Sequence, residues 1–157
     1  MKYTRLSKEQ LEELHSEFIN FLAAQQIDKN EWDLIKEHKP EVAEQEIDVF
    51  SDLIWEGVLT NAKYLEHYSN HYIFLFHCTE VHLQTIIIKT DVAEVDFLTK
   101  KGLEWLSDNL FTDTVEVQRG QKVFAGDRNG EIFELIKQGA IFSKGELYDQ
   151  MNSILEK

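Results

Sequence analysis

The chain carries one cysteine in 157 residues, so no disulfide can form within it. A lone thiol suits a reducing compartment. Proline occurs once and glycine seven times, too few for a flexible joint between domains, and a single domain over residues 1–157 is the expectation. No apolar run approaches the ~20 residues of a membrane span. The opening stretch MKYTRLSKEQLEELHSEF has no apolar core followed by a small-residue cleavage site, so no signal peptide is expected. Positive charge is scarce too. Sixteen Lys and Arg face twenty-nine Asp and Glu, a net charge of −13. That balance argues against nucleic acid, whose phosphates need cationic replacements for their counterions, and against an anionic membrane surface. It leaves a basic protein partner, a cation, or solubility alone. Phosphate-cradling glycine loops, the G-x-S-x-G elbow, HExxH and CxxC are all missing. A soluble, acidic, cytoplasmic protein is expected, with no nucleic-acid or membrane partner and no resident cofactor.

What the chain does have is apolar mass. Hydrophobic residues make up 43%, with ten Phe, five Tyr and three Trp, enough to fill a core without staples. Residues 7–60 read as helical. Ser7 followed by Gln10 is a capping box, and Leu11, Leu14, Phe18, Phe21 and Leu22 recur at helical spacing. Asp28 caps a shorter helix carrying Trp32 and Ile35, which must stop before Pro40. Pro40 suits the first turn of a third helix, expected to bury Ala43, Ile47, Phe50 and Ile54 and to weaken at Gly57.

Residues 64–89, rich in aromatic and β-branched side chains, read as a meander of three strands near 64–69, 72–78 and 82–89. Tyr72, Phe74 and Phe76 fall on one face, and Ile73 and Leu75 on the other, which predicts cover on both sides. Residues 97–157 are mixed. A helix capped by Thr99 is expected to make contacts through Leu103, Trp105 and Leu106. A hairpin is expected to turn at Arg119-Gly120, then a helix from Asp127 to Gln138 closed by Gly139, then a last helix boxed by Ser143 and Glu146. The fold class is α+β, a three- to five-stranded antiparallel sheet packed by N-terminal and C-terminal helices.

Two constellations could carry chemistry. The stretch EHYSNHYIFLFHCTEVH, residues 66–82, holds four of the six histidines and the cysteine. If the loop spans Cys78 to Val81, His77 and His82 become a cross-strand pair about 5 Å apart. With Glu80 they would supply three ligands to zinc or iron, the donor count of a metal-dependent hydrolase. A hairpin with half-exposed histidines is the plainer reading. Cys78 follows a run of aromatics and is expected to be buried and inert. Glu12 and His15 form a lone E-x-x-H without the second copy that a di-iron bundle needs. GDRNGEI lacks the end carboxylates of a calcium loop. The second constellation is Glu44, Asp48, Asp52 and Glu56, spaced by four on the third helix with no Lys or Arg between Pro40 and Lys63. Like charges so placed repel. Such a row is either a solvated face or a docking surface for a basic protein, with Trp55, Tyr64 and Tyr68 expected as exposed aromatics. A homo-oligomer through a sheet edge or face is also open, since the sequence does not fix which strand lies at the edge.

The stretches RLSKEQLEELHSEFINFLA, PEVAEQEIDVFSDLIWEGVL, YLEHYSNHYIFLFH, GLEWLSDNL and QGAIFSKGELY together resemble a family of uncharacterised proteins from Bacteroidetes. The resemblance covers most of the chain. It implies a bacterial, single-domain, cytoplasmic protein. The family has no assigned activity, so the resemblance brings no functional residue to these positions. The function expected from the residues is a non-enzymatic binding or interaction module with an acidic helix surface. The alternative is the metal-dependent enzyme centred on the histidine hairpin.

Overall fold

Residues 1–156 are described by the computed structural model and divide into two units, Met1–Thr60 and the chain from Asn61 onward. The division falls where helical periodicity gives way to strand alternation.

In the first unit Ser7 opens α1 (Lys8–Glu13) with both halves of the capping box: its hydroxyl accepts from the Gln10 amide, and the Gln10 side chain accepts from the Ser7 amide. The helix expected to run on from Ser7 is interrupted at Leu14, whose φ of −97° and ψ of 23° separate α1 from α2 (His15–Ala23). The break lies between Glu12 and His15, so that pair does not share one continuous helix. Asp28 caps α3 (Lys29–His38) by accepting from the Glu31 amide. Lys39, held out of the α region by the proline after it, ends that helix. Then α4 (Pro40–Thr60) runs for 21 residues, three beyond Gly57. Phe18 packs edge-on to Trp32 and Phe50, with ring centroids 5.3 and 5.0 Å away, and Phe21 lies 5.4 Å from Phe50. Ala43 and Phe50 are buried as expected, whereas Ile47 and Ile54 are only half-buried, and Ser51 and Leu59 are fully buried instead.

The second unit is built on β1 (Tyr64–Tyr68), β2 (Tyr72–Cys78), β3 (His82–Thr90), β4 (Val115–Val123) and β5 (Ile141–Ser143). They form one sheet, antiparallel throughout, in the order β4-β3-β2-β1-β5. The fold is α+β. Three helices complete the unit, α5 (Lys100–Asn109), α6 (Arg128–Lys137) and α7 (Glu146–Leu155). Ile73, Leu75, Ile86 and Ile88 on one face pack with Phe97, Leu106 of α5 and Tyr148 and Met151 of α7. On the opposite face Leu65, Phe76, Cys78 and Leu83 are also buried. Both faces are therefore covered over the centre of the sheet, as the apolar content of β2 and β3 requires. Thr99 caps α5 by accepting from the Gly102 amide. A Cβ at Gly102 would come within 1.7 Å of the Asp96 carbonyl oxygen, so only glycine lets this first turn lie against the preceding backbone. Leu106 is buried and Trp105 half-buried, but Leu103 faces solvent. Asp127 caps α6 and Gly139 follows it with φ +118°.

Two expectations are corrected. There is no hairpin at Arg119-Gly120. Residues 115–123 form one strand, paired to β3 from Thr90↔Val115 to His82↔Val123. A turn signal forms a hairpin only if its two arms pair with each other, and here the long β3 edge takes both arms. Nor does Ser143 cap α7. It lies in β5, and Gly145, at φ +82°, is the N-cap. Among the described residues no helix is long and apolar enough to cross a membrane.

Candidate functional site

The β2–β3 turn lies one residue further along the chain than the histidine-pair arrangement needs. Cys78 pairs with Leu83 and His77 with Gln84, so the four residues 79–82 lie between the last paired positions. His82 is therefore displaced two residues from the position opposite His77, and its own partner on the other side is Val123. The turn is closed by Thr79, whose hydroxyl accepts from the His82 amide at 2.8 Å and donates to the His82 carbonyl at 3.0 Å. This local bonding by a threonine sets the register. Glu80 points out of the turn, exposed. Among the described residues no group of three or more His, Cys, Asp or Glu side chains is placed to hold a metal ion. His77, His82 and Glu80 are thus near in sequence but not assembled into one donor set.

What surrounds His77 is aromatic. Its ring stacks on Tyr64 with centroids 4.6 Å apart and planes 11° from parallel, and Tyr148 of α7 lies 5.4 Å away. Its Nδ1 is 2.8 Å from Oε1 of Gln84, which also accepts from the Tyr148 hydroxyl at 3.4 Å. Tyr64 in turn is pinned from behind, because a Cβ at Gly145 would stand 2.5 Å from its ring. Burial, then the Asp149 carboxylate that accepts from its hydroxyl, raises the Tyr64 pKa above the ordinary value, and burial does the same for Tyr148. Sequence spacing could suggest the His77 strand face but not Tyr148, which arrives from more than sixty residues away. Next to this cluster Gln84, Arg119, Gln121 and Tyr148 line an open depression of about 410 Å³.

Cys78 is buried, and burial pushes its thiol up to about 11, the nearby Arg128 guanidinium only partly offsetting this. A thiol so raised is almost wholly protonated at neutral pH and is a poor nucleophile. Arg128 is occupied with main-chain carbonyls, donating to those of Ala62 at 2.7 Å, Thr79 at 2.8 Å and Cys78 at 3.4 Å. It ties the start of β1 to the β2–β3 turn.

The acidic row of α4 has a different surrounding. The segment before α1 lies along it as a non-helical strap that bends at Tyr3. The Asp52 carboxylate accepts from the backbone amides of Lys2 at 2.7 Å and Tyr3 at 2.9 Å. The Tyr3 hydroxyl donates to Glu56, and Lys2 Nζ stands 3.7 Å from the same carboxylate. Arg5 Nε donates to Asp48 at 2.6 Å, which holds the Asp48 carboxyl below its usual range. Leu6 is buried, and its amide donates to the fully buried Ser51 hydroxyl. Glu44 stays exposed at the end of the row. The charges that repel along the helix are thus met by two cations and two main-chain amides from the N-terminus. The signal for this was present in the sequence as MKYTR, a basic and aromatic run ahead of the Ser7 cap. Reading α4 alone could not find it, because the partners lie 43 to 53 residues away.

Among the described residues the histidines form no donor triad, and burial keeps the Cys78 thiol protonated at neutral pH. No curated protein and no solved structure matches the chain. A family model does match, over residues 1–156, so the same sequence pattern runs from the strap through the sheet to α7, and the chain belongs to a family of unknown function (DUF6495).

Proposed function

We propose that the protein is a non-enzymatic interaction module, whose α4 carboxylates Glu44, Asp48, Asp52 and Glu56 receive an extended basic segment of a partner protein. The observation that supports this reading is the strap. Residues 2–6 lie on the row as a short non-helical peptide held by main-chain amides to Asp52, a guanidinium to Asp48 and an ammonium near Glu56. Charge-assisted bonds of this kind are the stronger class, and a carboxylate that accepts main-chain amides can accept them from any extended backbone. The partner's segment takes the strap's place, and its basic side chains reproduce Lys2 and Arg5. A bacterial setting, which the resemblance implies, and a cytoplasmic one, which the single cysteine supports, belong to the same proposal.

The test uses a fluorescent synthetic peptide with the sequence of residues 2–8, titrated against three proteins. Arg5→Ala, whose own strap is loosened, should bind it more tightly than the wild type. The double variant Asp48→Lys, Asp52→Lys should not bind it. Equal binding to all three would sink the proposal.

A further inference from the structure

We infer that β4 is a self-association edge, through which two copies of the chain pair antiparallel about a two-fold axis at Arg119 and join their sheets. The sheet has two outer strands. β5 offers only three residues, whereas β4 offers nine, and Gln118 to Val123 are all exposed. The direction of the main-chain groups follows from the ladder. The Thr90 amide donates to His71, on the β2 side, and the Phe124 amide donates to Val81. Alternation along an antiparallel pair then turns Glu116, Gln118, Gly120 and Lys122 toward β3. Val117, Arg119, Gln121 and Val123 present their N–H and C=O groups outward, where an unpaired edge invites another strand.

Register follows from the side chains. A two-fold at Arg119 sets outward-facing residues against outward-facing residues, Val117 opposite Gln121 and Val115, whose amide already donates to the Thr112 carbonyl at 3.3 Å, opposite Val123 of the second copy. This register overlaps the full strand. It also places Glu116 opposite Lys122 of the second copy, twice, on one face. Glu116 already pairs with Lys89 at 3.3 Å and Lys122 with Glu131 at 3.0 Å. Association would therefore build a continuous row of alternating sign: Lys89 and Glu116 from one copy, Lys122 and Glu131 from the other. The two Arg119 side chains meet on the opposite face, the one unfavourable feature. Each already donates to Asn152 at 2.6 Å and lies 4.0 Å from Glu156, so each carries its own acidic neighbour. A single strand pair is a small interface, and association in the micromolar range or weaker is expected.

The experiment is sedimentation equilibrium of the full chain from micromolar to millimolar concentration, with circular dichroism to check folding. The wild type should show a monomer–dimer equilibrium. Gln121→Pro removes an outward amide and no main-chain bond to β3, losing only the exposed side-chain bond that Gln121 accepts from Gln84 at 3.1 Å, and proline is tolerated at such an edge position, so this variant should fold and stay monomeric. Glu116→Lys and Lys122→Glu each place like charges opposite one another and should weaken the dimer about tenfold. Mixed in equal amounts the two variants are complementary, because both cationic positions of the first face anionic positions of the second. The mixture should associate as tightly as the wild type. A wild type that remains monomeric throughout, a Gln121→Pro protein that dimerises undiminished, or a mixture no tighter than its components would each overturn the proposal.

Discussion

On α4 the side chains that stand out in the sequence are satisfied by a segment about fifty residues away, at the surface and through charge. On β2 His77 is satisfied across a ladder and under two tyrosine rings, through stacking and one amide. The first arrangement leaves its polar groups part-exposed and exchangeable with water. The second fixes a ring between neighbours that cannot move without disturbing the sheet. Exposed charge partners hold weakly and can be replaced by a competitor. Packed aromatic partners hold a shape.

That contrast can be broken most sharply at the packed end. Ile86 is fully buried in the sheet core, and Ile86→Ala should cost about 2 to 5 kcal/mol in denaturant unfolding. Gly145→Ala should come next. It forces a side chain into φ +82° and against the Tyr64 ring, a loss of about 1 to 3 kcal/mol, with a change in near-ultraviolet circular dichroism as Tyr64 is pushed from His77. A Gly145→Ala protein with unchanged stability and spectrum would show that the stack is not held from behind.

The strap sharpens the other side. Ser51→Ala leaves the Leu6 amide without its buried acceptor, and about 1 to 3 kcal/mol is at stake. Hydrogen exchange at the Leu6 amide should speed up while that of the sheet does not change. Acid should release the same segment. Arg5 holds the Asp48 carboxyl below its ordinary value, so the stability this pair contributes is present above about pH 4, the unperturbed carboxylate value, and is lost as pH falls through the lowered one. Both groups are part-exposed, which keeps the effect small and salt-sensitive. Protease nicking of residues 1–6 that did not rise on acidification would count against it.

The smallest effect belongs to Cys78. Its thiol should resist a thiol reagent at neutral pH in the native protein and react on unfolding. With the folded value raised to about 11, its contribution to stability is complete below the ordinary thiol value of about 8.5 and is lost as pH rises toward the folded one. Rapid labelling of the native protein at neutral pH would place the thiol outside the core.

Much of the fold could be read from local sequence. The Ser7 box, the Asp28, Thr99 and Asp127 caps and the three meander strands depend on residues a few positions apart, and the structure reproduces them within a residue or two. Two of the errors, the hairpin and the Ser143 cap, involve a distant partner. Arg119-Gly120 reads as a turn unless β3 is known to have an open edge. Ser143 reads as a cap unless Glu66 is known to take its hydroxyl and the Gly145 amide its oxygen. Of the candidate sites, the residues were legible but their company was not. A shift of the turn by one position along the chain decided whether His77 faced His82 or Gln84, and the Thr79 bonds to His82 hold it there.

The two outer strands of the sheet are recruited over very different lengths of chain. β4 joins β3 across residues 91–114, while β5 returns from Ile141 to lie against Glu66. Closing so long a loop costs entropy that only three residues of ladder are present to offset. In kinetic terms β5 is the last strand to dock and the first to leave. Pulse-labelling of amides during refolding should therefore find β2 and β3 protected before Ile141 to Ser143, and the reverse order would show that the sheet assembles from its other side.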